Sequence, residues 1–257
     1  MEKNRQDTEF TFTQALEQAA RAVKNSGNTV FFGGAGVSTA SGIPDFRSPN
    51  GLYRMMKDAK YSPEYYMSHD YWLDSPAGFT DFMRQMERMA QVAPNGAHKA
   101  LAELEKKGKL QAVITQNIDS LHQKAGSRNV LELHGNTRDI YCPQCGEKGD
   151  YKAYMQGKGV FPCPRCGSPM RPDVTLYGEM LNEQTMDQAL RAIREAEVLI
   201  VGGTSLVVYP AAGLIRYFHG HTLILINRDA TSADKQADFV LHGDISEILP
   251  MLVPKEM

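Results

Sequence analysis

The stretch Gly34–Ser48, GAGVSTASGIPDFRS, follows the apolar run Thr29–Phe32 and decides how the rest of the chain is read. Closely spaced glycines after a strand let the backbone approach a ligand, and the amides that open the next helix attract an anion. That is the pattern of a phosphate cradle. Taken alone it does not separate a cradle from a plain tight turn, because Gly34 and Gly36 are present but Thr39 stands where G-x-G-x-x-G has its last glycine. A dinucleotide dehydrogenase would next show a second strand carrying an acidic residue about 20 positions on. The residue at that distance, Asp58, lies in MMKDAKY, which is no strand pattern. Instead the chain runs into Ser41-Gly-Ile-Pro-Asp-Phe-Arg47. Pro44 forbids a continuing helix there, while Asp45, Phe46 and Arg47 put an acceptor, an aromatic plate and a cation on a loop beside the glycines.

The chain has 257 residues, 42% of them hydrophobic and 23% charged, enough for one substantial core with a small second module. A net charge of -2 gives no electrostatic reason for direct binding to nucleic acid or to a membrane surface. The opening MEKNRQDTEF has no apolar leader pattern, and no run of about 18 apolar residues occurs, so a cytoplasmic protein is expected. Four cysteines in two close pairs point, in a reducing compartment, to a metal rather than to disulfides.

Outward from the glycine loop, the elements alternate. Thr11 and Gln14 suit a capping box for a helix whose face carries Leu16, Ala19, Ala20 and Val23, ended by Asn25-Ser-Gly27. Leu52 to Trp72 is rich in Tyr and Met and reads as core or cleft lining. Helices are expected at about 76–91 and 95–107, then a buried strand at Leu110–Thr115 that ends in Gln116-Asn-Ile-Asp119. A short helix around Leu121 and His122 leads to a strand, Val130–Leu133, that ends in His134-Gly135. A helix from Glu183 to Glu195 behind Asn182, a strand Val198–Gly202 opening into Gly203-Thr-Ser205, a helix to about Phe218, a strand Thr222–Ile226, a short strand Phe239–Leu241 and a last helix through Leu249 complete the pattern. This alternation implies an α/β fold, a doubly wound parallel sheet of Rossmann-like type. Open sheets of this kind collect ligand-binding groups at the carboxyl ends of their strands, so the glycine loop, the 116–119 cluster and His134 are candidates to share one pocket.

Inserted into that alternation, at about 136–176, are Cys142-Pro-Gln-Cys145 and Cys163-Pro-Arg-Cys166, two C-x2-C pairs separated by 17 residues, each followed by glycine. Four thiolates close a tetrahedral shell with no open position, so a structural Zn2+ is expected there rather than a catalytic one. The segment between the pairs is short and polar, and it is expected to depend on the metal for its fold. Residues 1–135 and 177–257 then form the larger domain, with helices from about 37–75 as candidates to join the small zinc-ribbon module.

The opening loop is similar at every fixed position to GAGxSxxSGIPDFR, and the chain goes on to show TQNID (115–119), LHQKAG (121–126), ELHG (132–135), RPDVTLYGE (171–179), GTSLVVYP (203–210) and Ile226-Asn227 in order. Over about residues 13–252 it resembles the sirtuins, the NAD-dependent protein deacylases. The resemblance implies a protein lysine deacetylase that transfers the acetyl group of acetyl-lysine to ADP-ribose and releases nicotinamide. It implies NAD contacts at Ala35, Gly36, Thr39, Asp45, Phe46 and Arg47, at Gln116, Ile118 and Asp119 around the nicotinamide, and at Gly203, Thr204, Ser205, Asn227 and Ile245 along the adenosine half. His134 matches the general base and Asn117 a second catalytic polar group. Acetylated proteins or peptides are the implied partners, lying as an added strand against Val174, Leu176, Tyr177, Gly178, Glu179 and Val208. A monomer is expected.

Two departures from the family pattern, Gly33 for a usual Thr and Thr175 for a usual Val, remove no reacting group. Sirtuins that prefer succinyl- or malonyl-lysine carry a Tyr and an Arg three apart on the helix before Pro94. Counting back, those places are Phe82 and Gln85, with Arg84 one residue off, so neutral acyl groups are the expected substrates. Mono-ADP-ribosyl transfer, deacylation of longer or acidic acyl groups, and a non-enzymatic zinc-ribbon module on a nucleotide fold are the alternatives.

Overall fold

Residues 11–255 are described by a computed structural model of the chain. The apolar runs form six strands, β1 (Thr29–Gly33), β2 (Leu110–Thr115), β3 (Val130–Glu132), β7 (Val198–Gly202), β8 (Thr222–Asn227) and β9 (Phe239–His242), and β4 (Gly135–Tyr141), β5 (Lys148–Gly149) and β6 (Arg171–Val174) lie between them in the chain. The six make one sheet in the order β3-β2-β1-β7-β8-β9, every neighbouring pair parallel. The three others form a separate antiparallel sheet, β5-β4-β6.

The helices are α1 (Phe12–Asn25), α2 (Leu52–Met55), α3 (Pro63–Tyr66), α4 (His69–Asp74), α5 (Pro76–Met89), α6 (Gly96–Lys106), α7 (Leu121–Ala125), α8 (Tyr151–Gln156), α9 (Glu183–Glu195) and α10 (Ile245–Met251). Thr11 and Gln14 form the capping box of α1, and Asn182 accepts the Thr185 amide at the start of α9, as the sequence pattern requires. Strands buried on both faces need cover on both. Phe31, Val113, Ile200 and Ile224 pack on Ala19 and Val23 of α1, Leu101 of α6 and Leu249 of α10. On the opposite face Val30, Ile114, Leu199 and Leu225 pack on Ala189 and Ile193 of α9 and on Ala211 and Leu214. The sheet is therefore doubly wound, and its order reverses between β1 and β7, where such sheets open a crevice.

Three local expectations change. No α-helix follows the glycine loop: Ala35–Val37 and Thr39–Ser41 are single 3-10 turns, and Gly42, at φ 97°, turns the chain before Pro44 could clash with a continuing helix. Ala211–Tyr217 winds as a 3-10 helix rather than an α-helix. The segment between the cysteine pairs is more ordered than its composition suggests, because α8 buries Tyr154 against Ile140, Met170 and Phe161. Helices α4 and α5 share a further apolar cluster, Trp72, Phe79 and Met83, with Val174 and Leu176.

At the reversal point two loops nest backbone to backbone. The Gly36 amide donates to the Gly203 carbonyl at 2.8 Å, and a β-carbon on Gly36 would lie 2.8 Å from that same oxygen. Gly203 itself has φ 59° and faces the Val37 amide with no room for a side chain. Gly33, the departure from the family pattern, also has a local reason, since a β-carbon there would lie 2.5 Å from the Phe31 ring. Replacing Gly203 by Ala is expected to cost about 1–3 kcal/mol of unfolding free energy, read from urea denaturation.

Candidate functional site

A single cleft of about 570 Å³ lies along the carboxyl ends of the sheet, within the range of ligand pockets. Every residue assigned from the sequence to NAD, catalysis or substrate lines it. The loops after β1, β2, β7 and β8, His134 between β3 and β4, and the segment after β6 all contribute.

The rim is tied together by directed hydrogen bonds. The Asn227 carboxamide clamps Thr204, accepting from its amide at 3.0 Å and donating to its carbonyl at 3.0 Å. The Thr204 hydroxyl oxygen accepts from Gln116 Nε2 at 3.1 Å and from the Leu206 amide at 3.3 Å. Gln116 in turn presents its carbonyl to His134 Nδ1 at 2.9 Å. A carbonyl can only accept, so Nδ1 carries the proton and Nε2 is left as the basic nitrogen. Burial lowers the pKa of His134 from its ordinary value, against the opposing bond to Gln116. The imidazole is neutral at neutral pH, the state a general base requires.

A second network lies beneath the glycine loop. The Ser38 hydroxyl donates to Asp119 Oδ2 at 2.6 Å and accepts from Asn117 Nδ2 at 3.1 Å. His98 Nε2 stands 3.5 Å from the same hydroxyl, while its Nδ1 accepts the Asn95 amide at 3.3 Å. The Asn95 carboxamide also donates to the Val37 carbonyl at 2.8 Å and so ties the start of α6 to the loop. Asp119 accepts the Leu121 amide at 2.9 Å on its other oxygen, so it holds the first amide of α7 and faces the cleft at once. Burial raises the pKa of Asp119, with Ser38 and Leu121 opposing. Ser38 and His98 escaped the sequence assignment. Ser38 is a fixed serine of the opening motif, but the contact with His98 spans 60 residues and no local pattern announces it.

Other assigned residues have structural duties as well. Asp45 accepts the Ser48 amide at 2.9 Å and shapes the loop, beside half-buried Phe46 and exposed Arg47. Val174 and Leu176 are buried, and Tyr177 is exposed. The Tyr177 amide and carbonyl are both engaged, with the Met67 carbonyl at 3.0 Å and the His69 amide at 2.9 Å. On α5, the residues lining the cleft are Met86 and Glu87, with Ala90 just past its end. Phe82 stacks on Tyr66, Gln85 is exposed, and Arg84 turns away to the carbonyls of Tyr154 and Gly159, 2.7 Å from each.

The four cysteine sulfurs lie within 4.8 Å of one another, with Cys142–Cys166 at 3.5 Å and Cys145–Cys163 at 3.6 Å. Sulfurs about 2.3 Å from a tetrahedral zinc stand about 3.8 Å apart, so the donor set fits the ion. Gly146 and Gly167, at φ 73° and 77°, make the turn after each pair, and the Arg165 amide points at Cys163 Sγ at 3.4 Å.

Residues 34–210 match the Sir2 family. The chain belongs to that family. It is 50% identical to an NAD-dependent protein deacetylase of Clostridium perfringens over 239 residues, covering 93% of this chain and 98% of that one. Among solved Sir2 structures, a Sir2 homologue in complex with NAD is 38% identical, with a TM-score of 0.84 and 92% of each chain covered. A Sir2 complex with a p53 peptide and NAD+ is 37% identical, with a TM-score of 0.81, over 91% of this chain and 95% of that one. The cofactor of this Sir2 chain is therefore NAD, and the cluster of four cysteines is its zinc site.

Burial lowers the pKa of three histidines of this Sir2 chain, His98, His122 and His134. The pKa of His98 falls to about 4 from 6.5 through burial, and that of His122, whose ring packs 4.8 Å from His98, falls to about 3 through burial and the nearby His98. The unfolded chain protonates these groups near pH 6.5 and the folded chain does not, so their contribution to stability is present above pH 6.5 and is lost as pH falls toward 4. Each contributes about 1.4 kcal/mol of lost stability per pH unit in that window. Tm is expected to drop between pH 7 and 5, and His122→Leu should flatten that slope in a calorimetric series.

Proposed function

We propose that the chain is an NAD-dependent protein lysine deacetylase, which moves the acetyl group of an acetyl-lysine to ADP-ribose and releases nicotinamide. What carries the reading is the presence of a neutral, tautomer-fixed His134 in the same cleft as Asn117, Asp119 and the glycine-built rim. When bound, NAD supplies a glycosidic bond to a cationic leaving group and a ribose able to receive the acyl group.

The chain's own residues divide the work. Gly36, Ala35 and Thr39 present backbone and small side chains to the phosphates, with Arg47 as their cation, while Gly203, Thr204, Ser205 and Ile245 face the adenosine half. Asn227 acts there by fixing Thr204. Asp119, aimed by Ser38, takes the carboxamide beside Gln116 and Ile118, and a fixed acceptor in a dry cleft can hold that group where the departing charge is favoured. Asn117 shares the Ser38 hydroxyl and stays oriented toward the reacting ribose. His134 removes a ribose hydroxyl proton at Nε2, and Phe46, on the loop that Asp45 shapes, shields the reacting face. The acyl-lysine peptide enters between Val174–Glu179 and Val208 and pairs as an added strand.

A neutral acyl group suits this cleft. Glu87 lines it, and the nearest arginine on α5, Arg84, is committed to Tyr154 and Gly159. We take the protein to act as a monomer, and grouped cysteine ligands support a reducing, cytoplasmic setting. Among the described residues no helix is long and apolar enough to cross a membrane. Direct nucleic-acid binding forms no part of the reading. We take 136–176 with α2–α4 as the small domain and the rest as the NAD-binding domain.

Purified protein with NAD and an acetyl-lysine peptide should yield free lysine and O-acetyl-ADP-ribose by mass spectrometry; ADP-ribosylated peptide instead would mean ADP-ribosyl transfer. His134→Ala is expected to lower turnover by about 10²-fold or more while NAD still binds, with the acid limb of wild-type kcat/KM below pH 6.5. In a panel of matched peptides, acetyl-lysine should exceed succinyl-lysine by about 10-fold or more in kcat/KM, since a carboxylate would find no bidentate cation on α5. Faster succinyl turnover would reverse the acyl assignment.

A further inference from the structure

We propose that Glu179 governs peptide affinity without touching the peptide: its carboxylate, gripped by Arg171, His69 and the Leu176 amide, locks the 174–179 turn in its binding shape. This makes Glu179 and Arg171 positioning residues, and the inference rests on the deacetylase reading.

Three of the carboxylate's roughly four acceptor sites are already filled from within the fold. Oε1 accepts from Arg171 Nη2 at 2.7 Å and from His69 Nδ1 at 2.9 Å, and Oε2 accepts from the Leu176 amide at 2.9 Å. The turn is closed a second time by the Glu179 amide on the Leu176 carbonyl at 2.9 Å, with Gly178 at φ 93°. Burial opposes the charge on Glu179, but the Leu176 amide, His69 and Arg171 together hold its pKa below the ordinary carboxylate value. A peptide that sought this carboxylate would compete with three donors already bound to it. What the turn leaves outward is Tyr177 and Gly178, both exposed.

Arg171 depends on Glu179 in turn. It is 5% exposed, and its Nε and Nη1 are buried with no hydrogen-bond partner among the described residues. Trp72 and Tyr141 rings lie 5.8 and 5.7 Å from the guanidinium, a cation–π setting, and Glu179 is its one carboxylate within ion-pair distance among those residues. Removing the carboxylate would strand a buried cation, whereas removing both charges would not. That asymmetry gives the inference its test.

Initial rates with an acetyl-peptide at saturating NAD would be compared for wild type, Glu179→Gln, Arg171→Met, the double variant and His69→Ala. Glu179→Gln is expected to raise the peptide KM about 10-fold, with kcat and the KM for NAD within about 2-fold. The double variant should return the peptide KM to within about 3-fold of wild type, a rescue that separates charge pairing from the simple loss of two side chains. His69→Ala removes only the partly exposed donor and should raise the peptide KM about 3-fold; it serves if the buried variants do not fold. A fall in kcat with peptide KM unchanged, a double variant as poor as the two singles combined, or an unchanged KM in His69→Ala would each overturn the proposal. A wild type that binds NAD without deacetylating would sink the deacetylase reading and this inference with it, whereas a deacetylating wild type with unaffected variants would sink this inference alone.

Discussion

The contact between the Gly36 amide and the Gly203 carbonyl, 2.8 Å across the point where strand order reverses, is the constraint from which the rest of the cleft follows. Two loops can approach that closely only where neither carries a side chain, and a β-carbon on Gly34 would already lie 3.1 Å from Thr204. With the loops nested, Thr204 falls where Asn227 can clamp its backbone and Gln116 can reach its hydroxyl. Gln116 then fixes the tautomer of His134. A line of bonds thus runs from β8 through the loops after β7 and β2 to His134 beyond β3. The parallel register sets that line, because it brings Gly33, Thr115 and Gly202 to the same edge.

Polar groups are buried in this cleft at a cost that their partners offset only when all are present. Ser38 is the clearest case. Its one proton goes to Asp119, and its oxygen is approached by Asn117 and by the protonated nitrogen of His98. Each of these groups could satisfy itself with water if the loop opened. Closed, they leave a carboxyl whose pKa is raised and an imidazole whose pKa is lowered, both by burial. The low-dielectric setting that makes the cleft expensive to assemble is also what gives fixed dipoles their strength toward a developing charge.

How much of this was legible in the sequence follows from the range of the interactions involved. The strands were legible because continuous apolar runs are bounded by glycine or polar clusters, and α9 because Asn182 caps it before a periodic face. The zinc site was legible because ligand spacing is itself local. Residues 37–75 were not, since α2, α3 and α4 run only 4, 4 and 6 residues and are held by one-turn caps such as Ser62 and Ser68 rather than by a long periodic face. His98 could not be assigned, because its role depends on a contact made only when α6 docks on the loop. Glu179 was assigned by its motif to the substrate, and its actual donors come from Arg171 and from His69, 110 residues away.

The same reasoning explains why a metal site with no open coordination position bears on the chemistry. Strand β4 begins at Gly135, the residue after His134, and ends at Tyr141, the residue before Cys142. Strand β6 pairs with it, Gly135 against Val174, and the next amide, that of Thr175, donates to the His134 carbonyl at 3.0 Å. His134 and the 174–179 segment therefore lie side by side at one end of a small sheet whose far end leads into the four cysteines. A β-hairpin-sized sheet has little stability of its own, and a tetrahedral ion contributes folding free energy directly. Strand pairing sets the position of His134 against the 174–179 turn, and a zinc ion held at the far end would brace that pairing without needing an electronic role.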